Sequence, residues 1–104
     1  MKIIFFNKKS EKFMGNIRVE ARPRTARVFE LLEKNGNQLG MPLSKSIGNK
    51  LFELRILGHD NLRFIYTFHQ GCVWILNGFE KKTNKILKRE MDYSRQQLKI
   101  LLQK

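Results

Sequence analysis

The chain is poor in the residues that staple, bend or acidify a protein. Its 104 residues hold one cysteine, two prolines, one tryptophan and two histidines, and nine acids stand against 21 lysines and arginines. A lone cysteine, Cys72, excludes an intramolecular disulfide, so non-covalent contacts must hold the fold. Its neighbours Val73, Trp74 and Ile75 mark it as a buried strand thiol rather than a nucleophile, and a free thiol fits the reducing cytoplasm. His59 and His69 have no second His, Cys or carboxylate at ligand spacing, so neither a metal site nor a resident cofactor is expected. A phosphate-cradling glycine loop is missing, and so is a serine in a nucleophile-elbow setting. Long apolar runs are missing too. Ile3 to Phe6 is too short for a signal-peptide core, and a charged stretch follows it at once. Nothing approaches the roughly 20 apolar residues of a membrane span.

What the chain has is positive charge and enough apolar residues to fold. The formal net charge is +12, and 41% of the residues are hydrophobic. The length suits a single domain over residues 1–104 with one modest core. A basic excess of this size favours nucleic acid, an anionic membrane surface or an acidic protein as partner. Charge alone does not choose among them.

Lys2 to Phe6 reads as a short strand. Asn7 to Lys12 is polar and suits the opening of a short helix that ends near Gly15. Arg24 to Lys34 reads as a helix, because Thr25, Val28, Phe29 and Leu32 fall on one face. Pro23 suits its first turn, and Asn35-Gly36 suits its end. Asn37 to Asn49 is rich in Gly, Pro and Ser and reads as a connecting loop. Three strands follow, over about Leu51–Ile56, Leu62–His69 and Cys72–Phe79, with Gln70-Gly71 as a two-residue turn. His59 falls in the turn between the first two. Cys72 to Phe79 is apolar on both faces, as a central strand should be. From about Ile86 to Leu102, Leu87, Met91, Ser94, Leu98 and Leu101 recur at helical spacing.

Burial selects the register of the first hairpin. If Ile56 faces Leu62, then Phe52, Leu54, Ile56, Leu62, Phe64, Tyr66 and Phe68 share one almost wholly apolar face. Glu53, Arg55, Arg63, Thr67 and His69 share the other. A slip of one residue would mix the two sets. The selected pairing sets Arg55 directly opposite Arg63, where like charges repel by a few tenths of a kcal/mol or more. An anion between them would relieve that cost. A basic run, Lys81, Lys82, Lys85, Lys88 and Arg89, follows at the strand–helix junction. Such a run is often only a solvated face, but this one starts where a buried strand ends. Guanidinium groups bind phosphate bidentately and lysines add compact charge, so a polyanion, RNA above all, is the expected ligand.

Five stretches carry a family resemblance: Leu43-Ser44-Lys45, Leu51-Phe52-Glu53-Leu54-Arg55, Arg63-Phe64-Ile65-Tyr66, Gly78-Phe79-Glu80-Lys81-Lys82-Thr83, and Glu90 in the last helix. Leu39-Gly40-Met41-Pro42 fits before them. In this order and spacing the chain resembles the RelE/HigB-like toxins of type II toxin–antitoxin systems, in the HigB-like branch described as phage-derived. The resemblance spans roughly Leu31 to Leu98, and the first thirty residues match poorly. It implies an α+β fold: a small twisted, mainly antiparallel sheet, N-terminal helices on one face, and a C-terminal helix. It implies a metal-independent endoribonuclease that cuts messenger RNA on the translating ribosome. It also implies a cognate antitoxin, often a small helix-turn-helix protein.

By position, the resemblance assigns Arg63 to the scissile phosphate, Lys82 to stabilising transition-state charge, and Arg55 and Lys81 to the same concave face. Arg55, Arg63 and Lys82 are thus the expected catalytic residues, and Lys45, Lys81, Lys85 and Lys88 the expected RNA-binding ones. The chain departs from the best-studied branch at Leu51 and Glu53, where that branch carries lysines, and at Lys88, where it carries a tyrosine. The general base is therefore open among Tyr93, Glu53 and His69. Two other readings stand beside the enzyme: a non-catalytic RNA- or DNA-binding module, including an inactive toxin homologue, and a basic face that binds only an acidic partner.

Overall fold

Alternation along residues 51–80 sets the architecture, because each strand presents one set of side chains to each side of a sheet. The computed structural model describes residues 1–58 and 60–104. His59, expected in a turn, lies outside the described residues. The elements run β1 (Lys2–Phe5), α1 (Lys8–Gly15), α2 (Arg22–Asn35), β2 (Ser44–Gly48), β3 (Leu51–Ile56), β4 (Leu62–His69), β5 (Cys72–Glu80) and α3 (Lys88–Leu102). Short 3-10 turns flank α2 at Val19–Ala21 and Gly36–Gln38. The strands form one sheet in the order β1-β5-β4-β3-β2. β1 runs parallel to β5, and the other pairs are antiparallel. This is the expected α+β fold, with a mainly antiparallel sheet.

Local chemistry accounts for the helix ends. Asn7 caps α1, its side chain accepting the Ser10 N–H at 2.9 Å, as N-cap Asn does. Pro23 lies in the first turn of α2, and Gly36 ends that helix at a φ of 55°, a conformation glycine adopts without a Cβ penalty. Gln70 and Gly71 both have positive φ, which a tight hairpin turn requires.

The hairpin register is the one burial selects: Arg55 pairs with Arg63 and Ile56 with Leu62. Leu54, Ile56, Leu62, Phe64 and Tyr66 pack beneath Val28 and Leu32 of α2, with Phe13 and Met14 of α1 beside them. The rings of Phe13 and Phe29 meet Phe64 edge-on, with centroids 5.5 and 4.9 Å away.

The opposite face departs from expectation. Taken alone, the hairpin offers it as the polar side. In the fold it carries a second core, in which Leu51, Ile65, Leu76 and Phe79 pack with Leu98 and Leu101 of α3. A bulge between Ile65 and Tyr66 of the β4–β5 pair lets Asn77 pair with Ile65 and Phe79 with Arg63. That shift turns Asn77 toward α3, where its side chain bonds Glu90 and Ser94. Two smaller expectations also fail. The stretch read as a loop contains β2, because Ser44–Gly48 has little strand propensity of its own and pairs only once β3 is there to template it. Cys72 is half-buried rather than buried, because it starts its strand beside the turn.

Two substitutions test the first core. Phe64→Ala should cost about 3–5 kcal/mol in a urea melt, the usual range for a buried phenylalanine. At Gly78 an added Cβ would meet the Phe13 ring at 2.6 Å and Phe64 at 3.2 Å. Gly78→Ala should therefore lose about 1–3 kcal/mol through overpacking, although alanine is otherwise the better strand residue.

Candidate functional site

Glu53 and Arg55 are two residues apart on β3, so their side chains leave the same face. Arg63 joins them from β4 opposite Arg55, and Lys81 follows just beyond the end of β5. The Glu53 carboxylate sits among all three cations. Its Oε1 accepts from Arg55 Nε at 3.0 Å, its Oε2 lies 3.4 Å from Arg63 Nε, and Lys81 Nζ stands 4.0 Å from Oε2. The anion that the Arg55–Arg63 pair calls for is thus already in the chain. The sheet puts it there by strand period and register alone.

This cluster is not fully satisfied. Glu53 is 2% exposed and Arg63 is 7% exposed. Glu53 Oε2 and Arg63 Nε face each other out of line, and neither has a hydrogen-bond partner among the described residues. Arg63 Nη1 donates to the Leu62 carbonyl at 3.0 Å. Burial pulls the Arg63 guanidinium below the ordinary arginine range, and the charge of Arg55 pulls the same way against the opposing pull of Glu53. It remains a cation, as arginine does in proteins. Three cations around one carboxylate leave two positive charges uncompensated, at a spot with little water to screen them.

Lys45 stands opposite Glu53 across the β2–β3 pair and is exposed at the sheet margin. Lys81 also lines a cleft of about 260 Å³ at the start of α3, together with Phe79, Lys82, Thr83, Lys85, Arg89 and Glu90. Lys82 and Lys85 therefore belong to this cleft, and Lys81 links it to the arginines. Lys88 lies outside it, paired with Asp92 at 2.7 Å across one helical turn. Of the residues expected at the site, Arg55, Arg63 and Lys81 converge on one carboxylate, while Lys82 and Lys85 form the adjoining cationic wall.

The three residues left open as base fare differently. Both Glu53 oxygens face cations and the group is buried. His69 ends β4 six residues from Arg63, which is about 20 Å along a strand. Burial pushes the Tyr93 phenol up, and the nearby Glu90 charge adds to the shift, so the phenol holds its proton at neutral pH. Sequence reasoning passed over Asn77 and Lys9. Lys9 of α1 donates to Asn77 Oδ1 and pairs with Glu90 at 3.2 Å. Asn77 in the middle of an otherwise apolar strand was the available signal, since a buried amide needs partners.

A larger groove of about 1160 Å³ lies beside α2 and the β3–β4 turn, lined by apolar side chains such as Leu31, Leu43, Ile56 and Leu57. It contains none of the expected site residues. Among the described residues no three His, Cys, Asp or Glu side chains form a metal-holding group, and no helix is long and apolar enough to cross a membrane.

The ion cluster makes a stability prediction. Glu53→Ala strands buried cations and should cost roughly 3–5 kcal/mol, whereas Glu53→Leu with Arg63→Met removes both partners and should cost much less. Urea melts of the single and double variants check this. Equal losses would mean that the carboxylate does not hold Arg63.

The family described as phage-derived protein Gp49-like (DUF891) matches residues 12–99. The match starts well before Leu31, so the second half of α1 and all of α2 fall inside it. Comparison with curated proteins finds no match. With residues from α1 through most of α3 matched, the chain belongs to the phage-derived Gp49-like family, a family related to the RelE/HigB-like toxins.

Proposed function

We propose that this protein is the toxin of a type II toxin–antitoxin pair and acts as a metal-independent endoribonuclease on messenger RNA at the translating ribosome. The observation that carries the reading is the convergence of Arg55, Arg63 and Lys81 beside the Lys82–Lys85 cleft, in a chain of a toxin-related family. Cleavage by the RNA's own 2′-hydroxyl needs that oxygen deprotonated, the extra negative charge of the phosphorane held, and the leaving oxygen protonated. Fixed cations serve the second need, and removing one well-placed donor costs about 10²–10³ in rate. Arg55 and Lys81 reach the surface. Arg63 has its Nη2 free of hydrogen bonds among the described residues, and Glu53 holds its position. The ribosome supplies in-line alignment of the message, and Lys45, Lys82, Lys85 and Lys88 add phosphate contacts. The antitoxin, a small helix-turn-helix protein in this reading, is the second partner, and the cytoplasm is the compartment where both meet.

The burial of Arg63 favours one other reading. A guanidinium 7% exposed and turned toward Glu53 also suits a structural cation in a non-catalytic RNA-binding module. Purified protein on message-programmed ribosomes separates the two, with cleavage and binding measured side by side. Arg55→Ala should lose about 10²–10³ in cleavage with a much smaller loss of binding. Arg63→Lys should retain only part of the activity, because an ammonium lacks the guanidinium fork. Binding by the wild type without any cleavage leaves the binding module. In cells, expression without an antitoxin should arrest growth and deplete message. Normal growth at confirmed expression, with message lengths unchanged, counts against the toxin.

A further inference from the structure

The network at the start of α3 points to a residue that the cation cluster does not use. Glu90 lies in the first turn of α3 and lines the cleft with Lys81, Lys82, Lys85 and Arg89. Its two oxygens are treated differently. Oε1 is fixed by Lys9 Nζ at 3.2 Å and by Asn77 Nδ2 at 3.1 Å. Oε2 accepts no hydrogen bond among the described residues, and the side chain is 16% exposed. Asn77 is locked in turn, donating to the Glu90 carbonyl and to Ser94 while its own oxygen accepts from Lys9 and the Gly78 N–H. The bulge in β5 aims this amide at α3. Asn77 lies two residues along β5 from Phe79, the register partner of Arg63. Glu90 thus packs against the same sheet face as Arg63, by way of Asn77.

A carboxylate in the first helical turn is favoured by the helix dipole in any case. The dipole does not explain why two donors from other elements hold one oxygen and leave the other without a donor among the described residues, on a residue that lines a mainly cationic cleft. A carboxylate oriented in this way has the geometry of a general base, which must be placed before its acidity matters.

We propose that Glu90 is the general base of RNA cleavage, a role that rests on the endoribonuclease reading above. Oε2 takes the proton from the 2′-hydroxyl. The 2′-oxygen forms a bond to phosphorus, and the bond from phosphorus to the 5′-oxygen breaks. The 5′-oxygen takes a proton from water, leaving a 2′,3′-cyclic phosphate and a 5′-hydroxyl. Glu90 then returns its proton to solvent. The groups around it are Lys9 from α1, Asn77 from β5, Tyr93 from its own helix, and Glu80, Lys81, Lys82, Lys85 and Arg89 around the cleft. The cations hold the phosphate. Glu80 is a second carboxylate in the cleft, but it is exposed and no side chain among the described residues orients it, whereas Lys9 and Asn77 hold Glu90 in place.

The test is Glu90→Gln, whose amide oxygen can still accept from Lys9 and Asn77. On purified protein with message-programmed ribosomes, cleavage should fall by about 10²–10⁴ while ribosome binding and melting temperature hold. The residual rate should climb about tenfold for each pH unit above neutrality as hydroxide replaces the lost base, a slope the wild type lacks. Equal cleavage by Glu90→Gln and wild type overturns the proposal, and so does a loss of cleavage matched by a loss of binding. Should Glu90→Gln not fold, Lys9→Met keeps the carboxylate but removes one of the two donors that fix its Oε1. That variant should cleave more slowly with the pH slope of the wild type, and an unchanged rate overturns the proposal. A wild type that cuts no RNA under any of these conditions refutes the endoribonuclease reading itself. A wild type that cuts as well as Glu90→Gln refutes only the base.

Discussion

The Glu53 carboxylate governs how the β3–β4–β5 face is built. Register sets two arginines opposite each other in neighbouring strands, and Lys81 arrives from the third. Such a cluster would spring apart if its only counter-ion came from solvent. Glu53 stands two residues from Arg55 on the same strand and diagonally across from Arg63, and it offers one oxygen to each. The cations are thereby fixed before any ligand arrives. This is the preorganisation that makes charged groups effective on a transition state, because no reorganisation is left for the moment of reaction.

The arrangement has a cost in the same place. Burying an ion pair removes hydration that the pair's attraction only partly returns. Here the match is also imperfect, with Glu53 Oε2 and Arg63 Nε out of line. A hydrophobic pair would fill this part of the second core with less penalty. That the chain keeps charge there, on the sheet face that also carries Leu51, Ile65 and Phe79, is understandable if the two uncompensated positive charges have an anionic partner.

Two polar networks divide the work of positioning. Glu53 organises the arginines from within the sheet. Asn77, Lys9 and Glu90 tie α1, β5 and α3 together beside the cleft. Lys81 belongs to the first by its distance to Glu53 and to the second by lining the cleft. The bulge in β5 makes the second network possible, since strict alternation past Ile75 would turn Asn77 toward the first core.

Much of this was legible in the sequence, and what was legible depended on local period and chain direction. Alternation fixed the two faces of β3 and β4, and burial then left a single register, so the Arg55–Arg63 pair could be read directly. Spacing of 3.6 gave α2 and α3, and Asn7, Pro23 and Gly36 marked helix ends by backbone preference. The edge strand β2 was not legible, because Ser44–Gly48 becomes a strand only by pairing with β3. Nor was the fate of the polar face, since nothing in the hairpin says that α3 will return to cover it. The sequence alone determined that arginines would face each other across two strands with an anion needed between them. Only the tertiary structure decided that the anion is Glu53 and that Lys81, not Lys82, joins it. It also decided that Glu90 is turned into the cleft by partners 13 and 81 residues away. The reason is the same in each case: pairing register follows from near neighbours in the pattern, whereas burial and side-chain partners come from segments whose meeting depends on the whole fold.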